Sequence, residues 1–159
     1  MRGDLSRARA TLVEALELAK RNTDVWFESE IYRLLGDIAL TSDDDSQTDN
    51  GIPAMDDVRE DGMERINVAE AYYQRAIDLS RSQGARSLEL RAATSLGKLL
   101  SSLGRGEEAS ALLGPVRESF RGQRETFDSR AADELLESLS LAAGDPRTKE
   151  LQQQSVQSA

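Results

Sequence analysis

The chain has no cysteine and no histidine. Without cysteine there is no disulfide and no thiolate nucleophile, which is compatible with a reducing compartment. Without histidine the commonest general base and metal ligand is missing, and zinc sites of His or Cys cannot form. Aromatic residues are scarce: one Trp, three Tyr and three Phe in 159 residues. Small side chains must therefore do much of the packing. No hydrophobic run approaches the roughly 18 residues of a membrane-spanning helix. Met1-Arg2-Gly3-Asp4 begins with charge, and no apolar stretch of signal-peptide length follows. A soluble, cytoplasmic protein is expected. A basic excess is also lacking: 20 Lys and Arg stand against 29 Asp and Glu, a net charge of −9. Phosphate backbones and anionic lipid repel such a surface, so neither nucleic acid nor a membrane is an expected partner.

The acidity is local. Between Thr41 and Gly62 lie eight carboxylates (Asp43, Asp44, Asp45, Asp49, Asp56, Asp57, Glu60, Asp61) against Arg59 alone. That stretch also holds Gly51 and Pro53 and little hydrophobicity, so a disordered acidic loop is expected over 41–62.

What the chain has in abundance is repetition. Ala8, Leu12 and Ala15 recur as Ala69, Tyr73 and Ala76, each 61 residues on, and then as Ala109, Leu113 and Val116, each 40 further. Leu35-Gly36 recurs as Leu96-Gly97, again after 61. The first shift exceeds the second by 21 residues, the size of the acidic stretch. A helical repeat of about 40 residues with one inserted loop accounts for every offset, and such a period reads as a solenoid of helix pairs.

Apolar spacing of three and four predicts six antiparallel helices. They cover about 4–20, 25–40, 63–82, 86–103, 107–120 and 127–143. Thr23 or Asp24 is the expected cap of the second. On that helix Trp26, Phe27, Ile31, Leu34, Leu35, Ile38 and Ala39 are expected to face its partners. Gly84 is expected as a left-handed cap. Gly114-Pro115 should kink or interrupt the fifth helix, because proline lacks the amide donor. The repeat domain then covers 1–143, with a frayed tail over 144–159. Gly36 and Gly97 sit mid-helix, where glycine costs roughly 0.5–1 kcal/mol against alanine. Close approach of a neighbouring helix explains the recurrence, and Ala8, Ala15, Ala69, Ala76 and Ala109 are the expected opposing positions.

These residues resemble the tetratricopeptide repeat. Leu96-Gly97 followed by Ala109 and Leu113 fits its pattern, as does Leu35-Gly36 followed by Ala69, Tyr73 and Ala76 once the insertion is removed. Tyr32 and Ala93 stand where the repeat has Trp, and the period exceeds the usual 34. The run Ala69-Glu70-Ala71-Tyr72-Tyr73-Gln74-Arg75-Ala76-Ile77, then Ser87 to Leu96 and Ala111 to Val116, is similar to the C-terminal region of bacterial proteins that join a nucleotide-cyclase-like domain, an AAA-type ATPase domain and such repeats. The resemblance covers about 3–143. It implies a non-catalytic scaffold that binds a peptide or partner domain on a concave face, or else a detached regulatory tail of a cyclase or signalling ATPase.

In that repeat the first helix of each pair lines the concave face. This puts Glu30, Arg33, Asp37 and Leu40 in the groove, and by the same register Arg91, Thr94, Lys98 and Ser101. Arg33, Arg91 and Lys98 then form a basic strip suited to an acidic peptide or a carboxylate terminus. The competing reading is a solvated helix face with local ion pairs. The first helix lacks a preceding partner, so Leu5, Leu12 and Leu16 are expected to be exposed for a homodimer or an upstream repeat.

No catalytic group, metal or cofactor is expected. Gly97-Lys98 is similar to the end of a phosphate loop, but Ala92 and Leu99 stand where Gly and Ser or Thr are required. Placing Gly51 at the sixth position of a calcium loop puts the uncharged Ser46 first and Pro53 eighth, a poor ligand set. Glu107 and Glu108 read as charges favourable at a helix start.

Overall fold

A computed structural model describes residues 2–22, 26–41 and 62–144. Six α-helices make up the secondary structure of these residues, with no strand among them. They are α1 (Arg2–Asn22), α2 (Trp26–Thr41), α3 (Gly62–Ser82), α4 (Arg86–Ser102), α5 (Gly106–Glu118) and α6 (Phe127–Gly144). The Thr23 or Asp24 cap, the Trp26 side chain, the acidic stretch 42–61 and the tail beyond Gly144 lie outside the described residues. The chain divides into two compact units, Met1–Ala92 and Ala93–Ala159.

In the first unit α1 packs on α2 and α2 on α3. Leu16 and Ala19 of α1 meet Ile31 and Leu35 of α2, with Leu12, Ala15, Tyr32 and Tyr72 against them. The Tyr32 and Tyr72 rings lie 6.1 Å apart, tilted by 36°. The buried side of α3 is Ala69, Tyr73, Ala76, Ile77 and Ser80. Buried Ser80 satisfies its hydroxyl on the Ala76 carbonyl at 2.8 Å.

The closing turns of α3 and α4 share one construction. Gly84 has φ 66° and Gly104 φ 75°. The Ala85 amide bonds back to the Ser80 carbonyl, and the Arg105 amide to the Leu100 carbonyl. The glycine amides themselves bond to the Arg81 and Ser101 carbonyls. Only glycine takes this left-handed backbone without strain, and the paired bonds satisfy carbonyls that the helix end would orphan.

In the second unit α5 packs on α6. Arg117 of α5 grips Asp133 of α6 through two bonds of 2.7 Å. Thr126 and Ser129 cap the start of α6 reciprocally: the Thr126 hydroxyl accepts the Ser129 amide, and the Ser129 hydroxyl accepts the Thr126 amide.

Both mid-helix glycines are buried, and both make room for a neighbour. An added Cβ at Gly36 would stand 2.6 Å from Cε1 of Tyr73, and one at Gly97 would stand 3.1 Å from Cδ2 of Leu135 and 3.9 Å from Cδ2 of Leu113. The occupants correct the expectation of facing alanines. Large side chains fill the notches, while Ala69, Ala76 and Ala109 are buried beside them.

Three other expectations are corrected. Leu16 is only 2 % exposed and Leu12 is half-buried. Leu16 shares the register of fully buried Ile77, so it points into the unit and not toward a missing upstream helix. Phe27 is 67 % exposed, because it lies one turn before Ile31, where the apolar stripe of α2 runs out. Pro115 does not interrupt α5. The carbonyl it leaves without a donor belongs to exposed Ala111, where water reaches it.

The glycine contacts set an order of costs. Gly36→Ala must displace the rigid Tyr73 ring and should cost about 1–3 kcal/mol. Gly97→Ala meets the movable end of Leu135 and should cost less. Gly114 of α5 has nothing within 4 Å, so Gly114→Ala should gain about 0.5–1 kcal/mol of helix propensity. Urea unfolding midpoints should rise from the Gly36 through the Gly97 to the Gly114 variant; equal midpoints for the Gly36 and Gly114 variants would contradict the packing.

Candidate functional site

Of the groove residues read from the sequence, Glu30, Arg33, Asp37 and Arg91 come together in one polar cluster. Spacing of three and four places Glu30, Arg33 and Asp37 on one face of α2. The Arg33 guanidinium reaches both Glu30 oxygens, from Nε at 3.0 Å and Nη2 at 2.8 Å, and donates from Nη1 to Asp37 at 2.6 Å. Arg91 of α4 adds a longer contact of 3.4 Å to Glu30. The Tyr73 hydroxyl of α3 donates to the second Asp37 oxygen at 2.7 Å.

Tyr73 was not legible as a member of this site. Its ring lies across the Gly36 notch, and that path carries its hydroxyl to Asp37, the next residue along α2. One signal was present in the sequence. Tyr73 is the only polar-tipped residue at a position held elsewhere by Leu12 and Leu113.

The cluster holds two cations and two anions, so it balances its own charge. Burial works against the Arg33 charge, but hydrogen bonds and charges from Glu30 and Asp37 outweigh it and raise the pKa. Its side chain is only 14 % exposed. Arg33 is thus committed within the protein, the local ion-pair arrangement weighed against a free basic strip. Burial, with the hydrogen bond to Asp37 and its charge, pushes the Tyr73 hydroxyl well above its ordinary value. That group stays protonated and offers no base at neutral pH.

The remaining residues belong to the second unit. Thr94 is 5 % exposed and presents little to a partner. Ser101 is half-buried. Lys98 is exposed and has no ion pair among the described residues. Its register counterpart one repeat earlier is Asp37, and the counterpart of Tyr73 is Leu113. Nothing like the Tyr73–Asp37 bond can form between these two counterparts, and Lys98 is left open to solvent.

No protein-family model, curated protein or solved structure matches this chain. Chemistry must be read from the residues themselves. Among the described residues no group of three or more metal-ligating side chains could hold an ion, and no helix is long and apolar enough to cross a membrane. Glu107 and Glu108 occupy the first turn of α5. Arg105 donates to Glu108 at 2.6 and 2.8 Å, and that bond lowers the Glu108 pKa.

The cluster is thus a cross-link between helices, and its stability should depend on pH with a definite sign. The folded pKa of Tyr73 lies above its unfolded value of 10.0, so its contribution is complete below about pH 10 and is lost as pH rises toward the folded value. Tyr73→Phe should lose about 1 kcal/mol at neutral pH and show a smaller further loss on alkaline titration than the native chain. Parallel alkaline profiles for the two proteins would contradict the bond.

Proposed function

We propose that this chain is a tetratricopeptide-like helical solenoid that acts as a non-catalytic scaffold and binds an acidic peptide or partner segment on α4. One observation supports this reading above the others. Gly36 and Gly97, 61 residues apart, are both buried, and each receives a large side chain: Tyr73 at the first, and Leu135 with Leu113 farther off at the second. This recurring filled notch is the packing rule that the repeat reading expects. Arrays built by such a rule present extended helix faces, and these faces serve in recognition.

The anchor on α4 is Lys98, which is exposed and has no ion pair among the described residues. Arg33 is not an anchor in this proposal, since Glu30 and Asp37 already hold it. The net charge of −9 opposes general attraction of acidic peptides, so retention of one requires local cations.

Fluorescence anisotropy against a panel of acidic peptides, including free C-terminal carboxylates, tests the proposal. Peptides retained by the native chain should bind Lys98→Glu at least about fivefold more weakly, and added salt should weaken the native complex. Equal affinity for both proteins, or no retention of any peptide in low salt, would refute the assignment.

A further inference from the structure

The register that aligns α2 with α4 continues into α6. Forty residues beyond Gly97 stands Glu137. The inner positions keep their character across this step: Ala92 becomes Ala132 and Leu99 becomes Leu139, and all four are buried. The outer positions do not. Leu90, Ala93, Thr94, Gly97 and Leu100 of α4 are all buried. Their counterparts Arg130, Asp133, Glu134, Glu137 and Ser140 are all exposed.

A helix at the edge of a domain is exposed whatever its sequence, so exposure alone decides nothing. The chemistry does. Every one of these five positions has changed to a charged residue or serine. The two acids among them that matter most are Glu137, which fills the notch, and Glu134 beside it on the same face. A further knob seated there would bury the Glu137 carboxylate, which has no ion pair among the described residues, and burial of an unpaired charge is strongly unfavourable. Asp133 and Arg130 are held by Arg117 and Glu125, which keeps this face hydrophilic and ordered. The exposed apolar residues Phe127 and Leu141 lie at the two ends of this same face, one turn before Arg130 and one turn beyond Glu137, and the charged residues occupy the stripe between them.

We infer that α6 is the closing helix of the repeat array: its outer face is built to meet water, and no further helix of this repeat stacks upon it. The inference rests on the repeat register and not on what α4 binds, so peptide affinity and the test below fail independently.

The absence of native cysteine allows a direct test in the full chain. Single thiols introduced as Glu134→Cys and Glu137→Cys should react with a neutral maleimide within about threefold of the rate in the same chain unfolded in urea, while Thr94→Cys, the buried counterpart of the first, should be slowed more than about tenfold. Protection of either α6 thiol by more than tenfold would overturn the inference, since something would then cover the face. A second arm converts the stripe. The double variant Glu134→Leu/Glu137→Leu should keep native helicity and show a molar mass that rises with concentration in light scattering. Native helicity with unchanged mass would mean that these acids do not keep the face free. Should the double variant lose helicity, the thiol rates decide alone.

Discussion

The structure depends on a side chain from one helix seating over a glycine in the next. Glycine inside a helix is unfavourable by roughly 0.5–1 kcal/mol, and this chain uses it twice at the same register. What offsets that cost is contact. A Cβ at Gly36 would lie inside the Tyr73 ring's own space, and one at Gly97 would press on Leu135. With few aromatics and many alanines, the chain cannot fill wide gaps between helices. It packs by bringing helices close, and the notches set how close and in what register.

The first notch also organises charge. Because Tyr73 crosses α2 at Gly36, its hydroxyl arrives at Asp37, and Asp37 shares Arg33 with Glu30. Arg91 of α4 joins the same network. Packing and polar cross-linking are thus one device, with the ring and the hydroxyl of a single residue serving both. At Gly97 the contact is simpler: Leu135 and Leu113 supply only apolar bulk, and Lys98, the next residue along α4, faces solvent. The surroundings of the two mid-helix glycines so differ in charge. One satisfies its charges internally, and the other leaves a cation available.

Much of this was written in the sequence, and the exceptions have physical reasons. Three-and-four spacing placed the helix boundaries within about two residues. Gly84 as a left-handed cap followed from its position after a helical stripe. Spacing gives the register of a helix but not which neighbour fills a gap, so the partners of Gly36 and Gly97 could not be read from it. The same limit hid Tyr73: its apolar role was legible from Leu12 and Leu113, its hydroxyl's destination was not. The lack of a preceding helix suggests an outward Leu16, but its register with Ile77 points inward, and it is buried. Proline's disruptive tendency was overestimated at Pro115, because an exposed turn near a helix end leaves its lost hydrogen bond to water.

The central claim is that Gly36 and Tyr73 are coupled through direct contact. A double-mutant cycle of Gly36→Ala and Tyr73→Leu, read by urea unfolding, measures that coupling. The account predicts that alanine at position 36 is costly in the native background and close to neutral, within about 0.5 kcal/mol, once the ring is gone. Additive losses in the double variant would show that the two residues do not meet, and the notch would no longer explain the fold.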